Sequence, residues 1–436
     1  MSRKICPECN QKDTSYNWCK PCNSKHLQND FNNWTSGNDK IDKFILYAQL
    51  NANGHRQVIE WIPYDRFKDV KQIGKGGFGT IHYAKWIDGS IDKWDIENQQ
   101  WKRHGEDEEV ALKKFDNFME IHLKTWTDNN YSSIRFYGIT QDPETNSYMM
   151  VLQYAEDGNL REYLKINFNN INWLQKLRNL YYLSYGLMEI HKLDIVHQDF
   201  HPGNILSYDF KSDLLISDFG LSKLTEANPN NPEKKKIFGV LPYIAPEVLS
   251  GDEEYTKAAD VYSFGIIAYE IVTGFPPYPD IPHDKDLAMK ICNGLRPKIP
   301  FHIPKLITRM IMRCWDARVT YRPTFKELYD ELRKNFNDYY KYLEDRKNKD
   351  SEIVIQIKKA EEFSENQEST NSTTTTPLNY QTHPQAIYTS RLLNFSKLPK
   401  PKNEENFERE LEELTKFTSA LSIGDSGRVN LDMSDF

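Results

Sequence analysis

The chain has 436 residues, room for roughly three units of about 150 residues each, and its 56 Lys and Arg against 63 Asp and Glu leave a net charge of −7, which argues against a general nucleic-acid binder. The longest apolar run, around 264–272, falls well short of the roughly 20 residues of a membrane span, and the polar N-terminus lacks the apolar core of a signal peptide. Six cysteines fit a reducing compartment if four of them hold metal, so a cytoplasmic or nuclear protein with no membrane contact is expected.

The first element is a cysteine module over residues 1–25. Cys6-Pro7-Glu8-Cys9 and Cys19-Lys20-Pro21-Cys22 are two C-x-x-C pairs nine residues apart. Each pair makes a tight turn that aims two thiolates at one point, and two such turns complete a tetrahedral Zn2+ site. A redox pair or free thiols are the other readings of this spacing, and His26 is an alternative to one ligand. A closed four-ligand site serves folding or docking and not catalysis. Residues 26–66 read as a linker with a short helix around 40–50, where Ile41, Phe44, Ile45 and Tyr47 or Ala48 fall near helical spacing.

Ile73-Gly74-Lys75-Gly76-Gly77-Phe78-Gly79-Thr80-Ile81 is a G-x-G-x-x-G run followed by a β-branched residue. Glycines let a hairpin backbone come close to phosphates where a side chain would obstruct it. Dinucleotide-binding folds use the same letters, but the flanks, 67–73 and 80–86, read as two strands joined by the loop and not as a strand entering a helix. Between Lys85 and Glu109 lies a polar excursion containing Trp86, Trp94 and Trp101, either a solvated hairpin with packed tryptophans or a partner-docking loop. Strands are expected over 131–139 and 148–152, the latter leading into the connector Gln153-Tyr154-Ala155-Glu156-Asp157-Gly158. Helical spacing over 160–164 and at Trp173, Leu177, Leu180, Leu183 and Leu187 marks core-packing helices.

The chemistry is expected between His197 and Gly220. His197-Gln198-Asp199-Phe200-His201-Pro202-Gly203-Asn204 is followed by a short apolar segment and Asp218-Phe219-Gly220. A carboxylate able to orient a hydroxyl, an amide five positions on and a second carboxylate nineteen positions after the first are what phosphoryl transfer from a metal-bound nucleotide requires. Asp-Phe-Gly alone recurs by chance; paired with H-x-D-x-x-x-x-N at this distance, it resembles the catalytic loop and metal-binding motif of the eukaryotic protein kinases.

The resemblance implies an α+β, bilobal protein-kinase fold, with a small β-rich N-lobe and a larger helical C-lobe, beside the zinc-ribbon-like module. It also implies ATP and Mg2+ as cofactors and a protein as substrate. On it, Asp199 accepts or orients the substrate hydroxyl proton, Asn204 and Asp218 hold Mg2+, and Val110-Ala111-Leu112-Lys113 is the strand whose Lys113 grips the α- and β-phosphates. Gly74, Gly76 and Gly79 cover the phosphates. Ile73, Ile81, Ala111 and Leu206 sandwich adenine, although ordinary core packing explains any one of them equally well. Leu152 takes the gatekeeper position, and the backbone of Gln153 and Ala155 bonds the adenine edge, which offers one donor beside one acceptor. Glu120 is the candidate partner of Lys113. Only seven positions separate the two, fewer than the family usually has, and so short a tether either locks the ion pair or prevents it.

Two departures follow from the same resemblance. Gln198 stands where many kinases have an arginine, so no cation receives a phosphorylated activation segment there, and His201 stands where Ser/Thr kinases commonly have a lysine. The activation segment runs over 221–240, with Ser222 and Thr225 as candidate phosphosites and Lys234, Lys235 and Lys236 as solvated charge. Gly239-Val240-Leu241-Pro242-Tyr243-Ile244-Ala245-Pro246-Glu247 resembles the segment that receives substrate, with Val240 in place of a threonine. Asp260-Val261-Tyr262-Ser263-Phe264-Gly265 opens an apolar helix whose aspartate ties down the catalytic loop, and Arg322 is expected to pair with Glu247. With Cys314-Trp315 and Arg322-Pro323, these motifs resemble tyrosine-kinase-like Ser/Thr kinases and tyrosine kinases most. The kinase domain is placed at 67–340.

Residues 341–436 read as a low-complexity tail. Eight of the thirteen residues over 364–376 are Ser or Thr, the composition of a disordered linker. Tyr388-Thr389-Ser390-Arg391-Leu392-Leu393 and a proline spacer follow. Phe407, Leu411, Leu414, Phe417 and Leu421 then predict an amphipathic helix near 403–423, docked on a partner or back on the kinase. The whole reads as an ATP-dependent protein kinase acting on Ser/Thr, or Tyr, hydroxyls, with regulatory proteins docking through the zinc module or the C-terminal helix. A pseudokinase scaffold is the alternative, kept open by the short route to Glu120 and by Gln198 and His201; a third reading is a protein that acts chiefly through interactions.

Overall fold

A computed structural model describes residues 4–15, 17–31, 34–76, 79–114, 125, 132–224, 237–369 and 382–423. Its N-terminal half is organised by strands β1 (Glu60–Trp61), β2 (Phe67–Gly76), β3 (Gly79–Trp86), β4 (Ile91–Asp95), β5 (Gln100–Arg103), β6 (Glu108–Lys114), β7 (Phe136–Gln141) and β8 (Tyr148–Gln153). Six of them form one sheet in the order β1-β7-β8-β6-β3-β2, and β4 and β5 form a separate hairpin. All neighbours in the sheet are antiparallel except β1, which runs parallel to β7. The expected strands are present; the one expected over 131–139 is displaced toward its C-terminal side and described from Phe136.

Alternation along the strands sends side chains to two faces. Ala84, Val110, Leu112, Met149 and Val151 bury on one, with Trp86 and Tyr137. The other carries Phe136, Ile139, Met150 and Leu152 and is covered by Ile41, Ile45 and Ala48 from helix Asp39–Asn51. The Asn38 side chain caps that helix by accepting the Lys40 N–H. Each buried isoleucine stabilises this packing by roughly 1.5–3 kcal/mol. The helix expected in the linker therefore forms a layer of the lobe, because its apolar stripe has a sheet face to cover.

The excursion after β3 resolves into the β4–β5 hairpin with Trp94 opposite Trp101. It packs on the cysteine module of its own chain: Trp18 stacks on Trp101 at 6.0 Å and His26 on Trp94 at 4.1 Å. Trp18, Leu27, Ala52, Val58 and Ile91 bury together there. His26 also bonds Glu8 at 2.8 Å, and it is not among the four residues, all cysteines, whose donor atoms cluster in this module.

The C-terminal half is helical, centred on Trp173–Lys192 and the almost wholly buried Lys257–Thr273. Asn172 caps the first of these by accepting the Gln175 N–H at 3.0 Å, and Leu177, Leu180, Leu183 and Leu187 line its buried face. Helix Phe325–Asp345 begins at a capping box formed by Thr324 and Glu327.

The tail differs from its composition. Helix Glu352–Ser369 enters the segment expected to be disordered, because Ile353, Val354, Ile357 and Ala360 bury against the helical lobe. The amphipathic helix is present as Phe407–Ile423 and packs back on helix Lys305–Cys314, burying Phe407 with Leu411 and Leu414 alongside. No described helix is long and apolar enough to cross a membrane.

Candidate active site

Six short strands place the catalytic segment: β9 (Ile195–Val196), β10 (Ile205–Leu206), β11 (Leu215–Ile216), β12 (Lys223–Leu224), β13 (Ile237–Gly239) and β14 (Arg391–Leu393). In the β10–β11 hairpin Ile205 faces Ile216, so Asn204 meets Ser217 one residue before Asp218. The Ser217 N–H and hydroxyl both donate to the Asn204 carbonyl, at 2.9 and 3.0 Å. The Asn204 amide donates to the Asp199 carbonyl oxygen at 2.9 Å. Asp218 adopts a left-handed backbone, φ 61°, and its carboxylate pairs with Lys113 at 2.6 Å. Lys113, Asp199, Asn204 and Asp218, drawn from positions far apart in the chain, thus converge.

Asp260 holds the loop beneath them. Its buried carboxylate accepts the backbone N–H groups of His197 and Gln198, at 2.9 and 3.1 Å, and contacts His191 Nε2 at 2.9 Å. Gln198 sits at φ 69°, a conformation unfavourable for a residue with a Cβ, and its bond to Asp260 offsets the strain. His197 Nδ1 accepts the Asp199 N–H, which leaves Nε2–H to donate to the Ser217 carbonyl at 3.0 Å. Burial pushes His197 below the ordinary imidazole range, consistent with this neutral tautomer. Arg322 forms the expected bidentate pair with Glu247, both bonds 2.7 Å.

Asp199 is covered by a segment for which its position in the sequence offers no cue. β14 pairs antiparallel with β13, Gly239 facing Arg391, and Ser390 donates to Asp199 Oδ2 at 2.6 Å. Gly239, at φ 138°, permits the close passage, since a Cβ there would lie 3.3 Å from Asp199 Oδ1. His201 Nε2 lies 3.0 Å from the Ser390 hydroxyl. Burial works to raise the Asp199 carboxyl, yet His201 and the Ser390 hydroxyl outweigh it and hold the group below the usual carboxylate range. Beside this strand Arg161 bonds Tyr243 at 2.9 Å and Glu270 at 3.3 Å, and stands 4.5 Å from the Tyr388 ring. Sequence reasoning assigned no role to Ser390, Arg161 or Glu270; nothing local distinguishes them from ordinary surface or core residues.

On the nucleotide side, Ile81 faces Lys113 and Ala111 faces Leu152, so these four share one sheet face. Gly74 pairs with Ile81 and Gly76 with Gly79 across the β2–β3 hairpin, and Ile73 is 45% exposed, open to a ligand. The Gln153 N–H is taken by the Arg135 carbonyl and the Ala155 carbonyl by the Gly158 N–H, which leaves the Gln153 carbonyl and the Ala155 N–H as the natural acceptor and donor for an adenine edge. Leu206 is half-buried and bridged to Asn159. Glu120, Thr225 and Lys234, Lys235 and Lys236 lie outside the described residues.

In the cysteine module, the sulfurs of Cys6, Cys9, Cys19 and Cys22 all lie within 4.8 Å of one another, with Cys6–Cys22 at 3.8 Å and Cys9–Cys19 at 3.5 Å. A tetrahedron with Zn–S bonds of about 2.3 Å has edges of about 3.8 Å, so the four donors fit that ion.

Residues 67–332 match the sequence profile described as protein tyrosine and serine/threonine kinase. The chain is 30% identical over 299 residues to a protein provisionally named a serine/threonine-protein kinase/receptor in Acanthamoeba polyphaga mimivirus, covering 67% of this chain and 17% of that one. It is 28% identical over 295 residues to a tyrosine-protein kinase of Girardia tigrina, covering 64% and 54%, and 26% identical over 318 residues to a dual specificity protein kinase of Dictyostelium discoideum, covering 71% and 22%. The match thus spans about half or less of each of these relatives.

Proposed function

This chain belongs to the protein tyrosine and serine/threonine kinase family, and on that footing we propose that it transfers the γ-phosphoryl group of ATP to serine or threonine hydroxyls of proteins. The observation that carries this reading is the pairing of Lys113 with Asp218 and of Asn204 with Asp199, the two pairs joined through the bonds of Ser217 to Asn204. Asp199 orients the acceptor hydroxyl and takes its proton, while Lys113 positions the α- and β-phosphates. Asn204 and Asp218 would hold Mg2+, which supplies charge neutralisation along the phosphates when bound. Gly74, Gly76 and Gly79 let the hairpin backbone lie over those phosphates, and Ile81, Ala111 and Leu206 flank the adenine. The four cysteines would hold a structural Zn2+ that ties the N-terminal module to the β4–β5 hairpin.

A second reading, a scaffold that binds nucleotide without transferring phosphate, is favoured by one observation: Ser390 of the chain's own tail donates to Asp199 Oδ2. Incubation of the purified chain with labelled ATP, magnesium and a generic acceptor, beside Asp199→Asn and Lys113→Met, separates the two. Labelling by the unmodified chain alone supports the kinase; equal label in all three sinks it.

A further inference from the structure

We propose that Ser390 is the chain's own phosphoacceptor, an intramolecular phosphorylation site presented to Asp199 by the tail. The inference rests on the kinase reading above and names the substrate chemistry of the same site.

The hydrogen bonds around Ser390 are those of a nucleophile. Its hydroxyl donates to Asp199 Oδ2 at 2.6 Å. His201 Nδ1 accepts the Gly203 N–H at 3.1 Å, so the ring proton sits on Nε2, which donates to Ser390 Oγ at 3.0 Å. A serine hydroxyl has one proton and two lone pairs; the proton is directed at Asp199 and one lone pair accepts from His201, leaving the second to attack phosphorus. In the step, the Ser390 Oγ–P bond forms, the bond from phosphorus to the β,γ-bridging oxygen of ATP breaks, the hydroxyl proton passes to Asp199, and ADP leaves. His201 remains beside the new phosphoserine as a donor, in the place where a lysine stands in related kinases.

The backbone presents this hydroxyl as a substrate strand would. Leu393, Leu392 and Arg391 pair with Ile237, Phe238 and Gly239, which fixes the depth of Ser390 over Asp199. At that depth only a short side chain fits: a tyrosine hydroxyl, carried beyond an aromatic ring, would lift the strand off β13. Two positions before Ser390, Tyr388 donates to the Pro277 carbonyl at 2.9 Å and lies against Arg161. Three positions after it, Leu393 is buried in the helical lobe. The acceptor class is therefore a serine with an aromatic residue at −2 and a leucine at +3.

The strand is held from both sides by its own chain. The His383 N–H donates to Pro279 and the His283 N–H to the Gln385 carbonyl, and the Lys402 N–H donates to Cys292; Asn403 bonds both Ala317 and Asp316. Tethering of this kind gives an effective concentration on the order of millimolar, which favours reaction within one chain over reaction between chains.

The test incubates the full chain with γ-labelled ATP and magnesium over a hundredfold range of protein concentration and maps the phosphopeptides, with a generic acceptor present in a parallel reaction. The expected result is phosphoserine at 390 approaching one per chain, formed at a rate independent of protein concentration. Lys113→Met and Ser390→Ala lose that phosphopeptide, and Ser390→Thr yields it as phosphothreonine. Label on the generic acceptor or elsewhere in the chain, with none at 390, overturns the proposal and leaves the kinase reading standing. No label anywhere overturns both, and a rate at 390 that grows with protein concentration overturns the intramolecular assignment.

Discussion

The Lys113 ammonium lies 2.6 Å from the Asp218 carboxylate, so the two charges that a nucleotide and its metal would use neutralise one another across the cleft. Both must turn to the phosphates for transfer to occur. Lys113→Met and Asp218→Asn are each expected to lower kcat toward a generic acceptor by about 10²–10³-fold, the scale for removing one preorganised electrostatic contact. Steady-state kinetics at saturating ATP checks this, and chelating magnesium should reduce transfer by the unmodified chain to background.

Asp260 acts through the loop and not on the substrate. Asp260→Asn keeps the size of the side chain but removes the charge that accepts two backbone N–H groups and faces His191. The expected effect is a fall in kcat of roughly 10–100-fold with little change in KM for ATP, because Asp199 loses its orientation while the nucleotide face of the sheet is untouched. A change confined to KM would show that the loop does not depend on this anchor.

Arg322 and Glu247 are both buried, at side-chain exposures of 0% and 3%. Removing one partner strands the other charge, so Arg322→Leu is expected to cost roughly 3–5 kcal/mol. Pairing it with Glu247→Leu should recover part of that loss, since two apolar side chains leave no unpaired charge. Urea unfolding of the single and double variants measures both.

Lys176 donates to the Val272 carbonyl at 3.2 Å and stands over the rings of Phe168 and Trp173, and burial lowers its pKa to about 8 from an ordinary 10.5. The folded chain therefore binds fewer protons than the unfolded chain between these values, and the stability contribution of this group is full above the ordinary value and lost as pH falls through about 8. At pH 7 the buried ammonium is a cost, so Lys176→Met should raise stability by about 1–2 kcal/mol after its lost bond and ring contacts are counted. Thermal melts of both proteins from pH 7 to 10 should show the gap narrowing; a constant gap would exclude ionisation as its cause.

The four cysteines should bind one zinc per chain, measurable by elemental analysis. Chelation, or Cys9→Ser with Cys22→Ser, is expected to unfold the module, since structural zinc contributes about 10 kcal/mol or more to domains of this kind. Trp18, at 1% exposure, would then meet water, and tryptophan emission should shift to the red. Unchanged emission on removal of zinc would mean that the module stands on its tryptophan packing.

The elements legible from the residues are those whose physics is local. Trp173 to Leu187 recur at helical spacing, and the helix is there. Gly74 to Gly79 lie between two strand-like flanks, and the hairpin is there. His197 to Asp218 place two carboxylates and an amide at separations that a loop and a hairpin of two short strands bring together, and Arg322 and Glu247 meet as the motifs imply. The expected disordered linker over 364–376 is met by the helix only at 364–369, where two Ser and no Thr stand and the preceding Ile353, Val354 and Ile357 carry the helix onward by burial; its Ser- and Thr-rich part, 370–376, lies outside the described residues.

Local pattern thus determines the hairpin of glycines, the catalytic loop and the cysteine turns, because their backbone geometry and ligand spacing are satisfied within a few residues of chain. The tertiary structure alone decides that helix Asp39–Asn51 covers a sheet face, that the β4–β5 hairpin meets the cysteine module, and that Ser390 reaches Asp199 across 191 positions of chain. Such contacts arise from apolar area and hydrogen bonds contributed by distant segments. The entropy of closing the loop between them grows only slowly with its length, so separation in sequence neither forbids the contact nor announces it.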